Sequence, residues 1–315
     1  MKLPKFLKEN KNENPIPPWA EYMSDDDFIT CNTVYKMGGY WDTFDKYTYP
    51  CEEKGDITYY VFDPIKHGAD PNGKYPVMMW IHGLNCAIDG IRCVGYCGAE
   101  QYASPKYQEA MGGGAFLIVP LANEARLEDD TIVGSWDEGY IAPTKGIYDK
   151  VVEEHKDNIS ARFIMGASSG GYFSWRFLEE YTDDFEGAIP IASGYVPSDE
   201  NLKKIDDAGI QVIIAHGKHD EMALYDECIK PHEEMFASMK NAICYFPEWV
   251  RNEDKGIASI NYGMEMGQHC LINQIQANLI YEDGTCYDER FPEGITGWIK
   301  AVCEKTMQRG VCIKQ

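Results

Sequence analysis

From about residue 76 onward, short apolar runs alternate with amphipathic stretches. PVMMWIHG (76–83), GAFLIVPL (114–121), ARFIMG (161–166), GAIPIASG (187–194), IQVIIAHG (210–217) and AICYFPE (242–248) are apolar at nearly every position. A strand with one wet face alternates, so runs this short and this continuous predict strands covered on both faces. Between them, AEQYASPKYQEAM (99–111), PTKGIYDKVVEEHKD (143–157), GYFSWRFLEEYT (171–182) and DECIKPHEEMFASMK (226–240) space their apolar residues as helices do, with Pro231 placed to start or kink the last. Alternating strand and helix predicts an α/β fold: a mostly parallel central sheet with helices on both faces and its active site at the carboxyl ends of the strands.

Ahead of this region the pattern differs. TVYKMGGYWDTF (33–44) and DITYYVFDP (56–64) are rich in aromatic and β-branched residues around a Gly38-Gly39 turn signal, which predicts antiparallel strands opening the sheet. A polar, Pro-containing arm runs to residue 20, and no repeat or charged linker divides residues 21–315, so one catalytic-sized domain is expected there.

The strand ARFIMG leads into Gly166-Ala167-Ser168-Ser169-Gly170-Gly171 and then a helical pattern. A nucleophile on a sharp strand-to-helix turn needs small residues two positions to either side, because the chain doubles back tightly. Gly166 and Gly170 supply this around Ser168; Ala167 and Gly171 leave Ser169 as the alternative register. In an α/β fold with its nucleophile on such a turn, the acid and then the histidine are expected to follow the serine in chain order, each at the end of a later strand. Of the seven histidines, His67, His82 and His155 precede Ser168, His216 and His219 share one strand end, and His232 falls in a helical stretch. His269 remains, in a Gly-containing loop entering the apolar stretch of NYGMEMGQHCLINQIQANLI. The acid that orients it is expected where IQVIIAHG ends, in HGKHDE, with Asp220 first in line and Glu221 next. Backbone donors for a developing oxyanion are expected at Ser169 and at Leu84, after His82-Gly83, with Asn85 the neighbouring alternative.

The motifs WIHGLN, GASSGGY, AHGKHDE and MGQHC occur in an order that resembles the α/β-hydrolase superfamily over roughly residues 55–305. Within it the chain is similar to feruloyl-esterase, polyhydroxybutyrate-depolymerase-like and prolyl-oligopeptidase-like serine hydrolases. The resemblance implies a triad of Ser168, Asp220 and His269, an oxyanion hole from the Leu84 and Ser169 amides, and hydrolysis of carboxylic esters through an acyl-enzyme. It also implies hydroxycinnamoyl or acetyl esters of plant carbohydrate as first substrates, and no cofactor. The same frame serves peptidases, acyltransferases and non-catalytic binding scaffolds, which stay open as alternatives. No propeller precedes the catalytic part, and the segment between GAIPIASG and IQVIIAHG is too short for a large cap. Loops 85–100, 121–141, 194–198 and 248–268 therefore shape the site, and their aromatics Trp136, Tyr140, Tyr195, Trp249 and Tyr262 are candidates to stack on a sugar or phenolic acid.

Charge narrows the partners. A formal net charge of -22 disfavours nucleic acid and anionic lipid, and it favours a small neutral or cationic ligand. MKLPKFLKENKNENPIPP shows no export signal, so the cytoplasm is expected, or a secreted protein if a leader has been removed. Of the eleven cysteines, Cys86, Cys93 and Cys97 cluster without zinc-like spacing. Free thiols are expected, with a disulfide the alternative. Asp25-Asp26-Asp27 reads as a solvated turn rather than a metal site.

Overall fold

The computed structural model describes residues 38–310 apart from 254, 256, 257, 259 and 262–264. Its centre is an eight-stranded sheet: β1 (Asp45–Tyr49), β2 (Ile57–Phe62), β3 (Tyr75–Ile81), β4 (Phe116–Pro120), β5 (Ile159–Ala167), β6 (Gly187–Ile191), β7 (Gln211–Ala215) and β8 (Ala242–Tyr245). The spatial order is β1-β2-β4-β3-β5-β6-β7-β8. β2 is antiparallel to both its neighbours, and every pairing from β4 to β8 is parallel.

The continuous apolar runs divide by residue parity, as a pleated strand requires. Met78 and Trp80 of β3, Phe163 and Met165 of β5, and Ile213 of β7 join one core layer. Val77, Met79 and Ile81, with Ile164, Val212 and Ile214, join the other. Helix α1 (Ile141–Glu154), α2 (Ser169–Glu180) and α3 (Asp199–Asp207) cover the second layer through Ile147, Tyr148 and Val151, through Phe173, Trp175 and Phe177, and through Leu202 and Ile205. Helix α4 (Gly294–Gln308) covers the first through Ile295, Ile299, Val302 and Cys303. Among the described residues, the link from β6 to β7 holds α3 and no separate cap. This is the α/β-hydrolase fold.

Three expectations need correction. The helix predicted over 99–111 is two helices, Ala99–Tyr102 and Pro105–Ala110, because Pro105 disfavours helical geometry at Ser104 and Ser104 instead caps the second by accepting the Tyr107 N–H. The helix predicted over 226–240 is likewise broken: Pro231, placed to start or kink it, sits early in a 3-10 turn, Lys230–His232, that separates the helices Tyr225–Cys228 and Glu233–Ser238. The described part of 33–44 is not a strand: the buried Glu100 carboxylate accepts the N–H groups of Gly38, Tyr40 and Trp41, which curls this segment into a turn and delays β1 to Asp45. The arm to residue 20 and Asp25-Asp26-Asp27 lie outside the described residues.

Candidate active site

Ser168 stands between β5 and α2 with φ 58° and ψ -121°. A non-glycine residue in such a conformation costs about 1–3 kcal/mol and persists only where its surroundings impose it. The Ser168 N–H donates to the Ile191 carbonyl at 2.9 Å, and the Ser168 carbonyl accepts the Tyr172 N–H at 3.0 Å. A Cβ at Gly166 would collide with the Gly170 carbonyl, and one at Gly170 with the carbonyls of Ile81 and His82. The small flanking residues are thus demanded by strand-to-helix contact. Ser169 begins the helix, with its hydroxyl buried and without a hydrogen-bond partner among the described residues, while its backbone N–H belongs to the first turn, where amides have no acceptor within the helix. The positive end of α2 points at the same place.

The turn after β3 lies against this serine: a Cβ on Gly83 would sit 3.6 Å from that of Ser168 and 3.9 Å from the Cys86 sulfur. His82 holds the turn. Its Nε2 accepts the Ala122 N–H at 3.0 Å, so Nδ1 carries the proton and donates to the Gly83 carbonyl at 2.7 Å. Burial holds this imidazole below its usual pKa, against the pull of Glu124, so it is a neutral strut. Leu84 is exposed on the turn. Asn85 follows at φ 71°, its side-chain oxygen bonded by Arg126 at 2.8 Å, and Glu124 accepts the Ala87 N–H at 3.0 Å.

Asp220, buried past the end of β7, accepts the N–H groups of Met222 and Ala223 through Oδ1, each at 2.8 Å. Both its oxygens lie 2.9 Å from His269 Nδ1. Burial works against the Asp220 charge, but His269 and the amides outweigh it and hold the carboxyl below its usual range. Burial also opposes a charged His269; Asp220 and then Glu221 outweigh that, and its pKa is raised. His216 approaches Asp220 Oδ2 at 3.7 Å, but its Nε2–H is donated to the Ala223 carbonyl at 2.7 Å, and burial keeps it neutral. His269 itself is placed by Gln268, whose buried amide bonds Val250 N–H, Val250 C=O and Ala258 C=O.

The structure therefore joins Asp220 to His269 and sets the Gly83 turn beside Ser168. Cys86 of that turn is buried, and its thiol donates to the Leu84 carbonyl at 3.8 Å. Among the described residues no hydrogen bond joins Ser168 to His269, whose Nδ1 faces Asp220. Catalytic hydrogen bonds are commonly long until substrate is bound.

The loop aromatics divide. Trp136 is buried, not a ligand platform: its indole N–H donates to the His82 carbonyl at 2.9 Å and its ring stacks on Phe173 at 4.6 Å. Tyr140 is buried as well, its hydroxyl accepting the Asn123 N–H and donating to the Gly134 carbonyl. Tyr195 is half-buried with its hydroxyl committed to Glu179 at 2.9 Å. Trp249 stacks on His219 at 3.8 Å and lines a cleft of about 370 Å³ at the end of β8, with Tyr281, Tyr287 and Arg251. None of Ser168, Asp220 and His269 lines this cleft. Tyr262 lies outside the described residues. Cys86, Cys93 and Cys97 are free, buried thiols whose pKa values burial raises, and the described residues hold no cluster fit for a metal ion.

His82, Glu124 and Gln268 are the site residues that sequence reasoning did not assign, and Glu221 entered it only as the alternative to Asp220. His82 carried a signal, a histidine before glycine at a strand end, but its partners Ala122 and Trp136 lie 40 and 54 residues away.

No protein-family model matches the chain, and no curated protein matches it in sequence. Among solved structures, a thermostable esterase is similar at 22% identity and a TM-score of 0.54, over 74% of this chain and 60% of that one. The chain thus matches only 60% of that esterase's length, and the likeness establishes the fold. Est1E from Butyrivibrio proteoclasticus aligns at 12% identity and a TM-score of 0.44 over 84% of this chain and 99% of that one. A ferulic acid esterase aligns at 16% and 0.46 over 64% and 88%.

Proposed function

We propose that this chain is a serine-dependent carboxylic-ester hydrolase, with Ser168 as nucleophile, His269 as base and then acid, and Asp220 as the orienting carboxylate. The observation that carries this reading is Ser168 itself: a strained, half-buried serine at the start of a helix, enforced by glycines that backbone contacts require. Strain of this kind collects where a side chain must be presented to a reactant.

In this mechanism Ser168 Oγ attacks the ester carbonyl while His269 Nε2 takes its proton. Asp220 fixes the tautomer, because a carboxylate at Nδ1 leaves Nε2 free to accept, and it stabilises the imidazolium that forms. The negative charge on the carbonyl oxygen falls to the Ser169 and Leu84 amides and the positive end of α2. The imidazolium then protonates the leaving alcohol, and water repeats the sequence to release the acid. All groups required belong to the chain.

For substrate we propose hydroxycinnamoyl or acetyl esters of carbohydrate. What supports this is a loop-built site with no cap among the described residues, which admits one end of a large alcohol, together with an acidic composition that does not attract polyanions. The test is turnover of p-nitrophenyl acetate and a methyl hydroxycinnamate series by the native protein and by Ser168→Ala. Hydrolysis that the substitution abolishes supports the reading; unchanged hydrolysis, or none from either folded protein, defeats it.

A further inference from the structure

Glu221 follows Asp220 directly and is not needed by the triad. Its Oε1 accepts the N–H of Gln268, the residue before His269, at 3.2 Å. Its Oε2 is buried, and among the described residues no group is hydrogen-bonded to it. A buried carboxylate ordinarily accepts several hydrogen bonds, since each one offsets part of the cost of leaving water. Among the described residues the hydrogen bonds to Glu221 come from backbone amides, and it sits between the acid and the loop that carries the base. The charged groups facing it are Asp220 on its own segment and His269 on the loop packed against it, while His216 faces Asp220 from the end of β7. Burial, and after it the negative charge of Asp220, pushes Glu221 up to about 7. It therefore changes charge in the range where an imidazole works as a base.

We propose that Glu221 is a positioning residue for His269: it anchors the His269 loop through the Gln268 amide and, when ionised, raises the basicity of the imidazole through space. Its effect on rate rests on the esterase reading above; the coupling of the two titrations does not. At low pH a protonated Glu221 withdraws its charge, so His269 gives up its proton more readily and stays available as a base. At higher pH the ionised carboxylate makes that base stronger. The two protons belong to the pair and leave in coupled steps.

The test follows His269 by NMR through a pH titration of the native protein, Glu221→Gln and Glu221→Ala, with the rate of fluorophosphonate labelling measured alongside. The glutamine retains an acceptor for the Gln268 N–H but has no charge, so the His269 midpoint moves to lower pH and sharpens to a single-proton curve. Alanine removes the anchor too, and labelling slows about tenfold across the pH range, as loss of one hydrogen bond implies. A native protein that is labelled, but whose His269 midpoint does not respond to Glu221→Gln, overturns the coupling and leaves the esterase reading standing. A shifted midpoint in a protein that is never labelled does the reverse. Should the variants not fold, the Glu221 carboxyl carbon of the native protein decides: titration in step with His269 supports the proposal, and full ionisation below about pH 5 overturns it.

Discussion

Asp220→Asn separates the orienting role of this residue from its structural one. The Asp220 carboxylate does two things: Oδ1 closes the turn after β7 by accepting two N–H groups at 2.8 Å, and both oxygens face His269 Nδ1 at 2.9 Å. Asparagine retains a carbonyl oxygen for the turn, so the fold is expected to survive. It places an NH2 group where Oδ2 stood, against Nδ1. The imidazole then presents Nδ1 as acceptor and carries its proton on Nε2, the nitrogen that must receive the proton of Ser168. A base in the wrong tautomer is expected to cost about 10⁴ in kcat. At about 1.4 kcal/mol per factor of ten, that is close to 5.5 kcal/mol of transition-state stabilisation. The assay is kcat and KM for p-nitrophenyl acetate, with a thermal melt to verify the fold. A folded variant that keeps more than a tenth of the native kcat would refute the assignment of Asp220.

Other consequences can be checked with standard measurements. Trp136→Phe keeps the stack on Phe173 but removes the donor to the His82 carbonyl; we expect about 1–2 kcal/mol less stability and a lower kcat through a looser Gly83 turn, with KM unchanged. A raised KM with unaltered stability would instead make Trp136 a substrate contact. The pH profile follows from His269, which must be neutral to accept a proton. Burial opposes its charged form but Asp220 outweighs that and raises its pKa, so kcat/KM is full above the raised value and falls as pH drops through it. The midpoint is expected on the alkaline side of the free imidazole's ~6.5, and a midpoint below it would contradict the electrostatics of the pair.

The strands were legible because their signal is local. A run such as PVMMWI can satisfy a pleated strand with both faces covered and little else of that length. The Ser168 turn was legible for the same reason: its glycines meet backbone within a few residues or at the adjacent strand end. Helix α4 was harder to see, since Gly294 and Gly297 interrupt its apolar spacing and the contacts that stabilise it lie across the sheet. The aromatic loops misled because position in a loop does not fix burial. Trp136 belongs to a long connection that folds back over the sheet, and its indole reaches a strand end 54 residues earlier. Glu221 was visible only as the neighbour of Asp220; its distinct environment depends on Gln268, 47 residues on. Where partners are distant in sequence, residue type and spacing hold no trace of them.

The central claim is that Ser168 is the nucleophile, and the most direct measurement is the site of covalent capture. The native protein would be treated with a fluorophosphonate, digested, and the adduct located by mass spectrometry. The account predicts one adduct, on Ser168, that heat denaturation before treatment prevents. An adduct on Ser169 or another hydroxyl, or none on the folded protein, would contradict it.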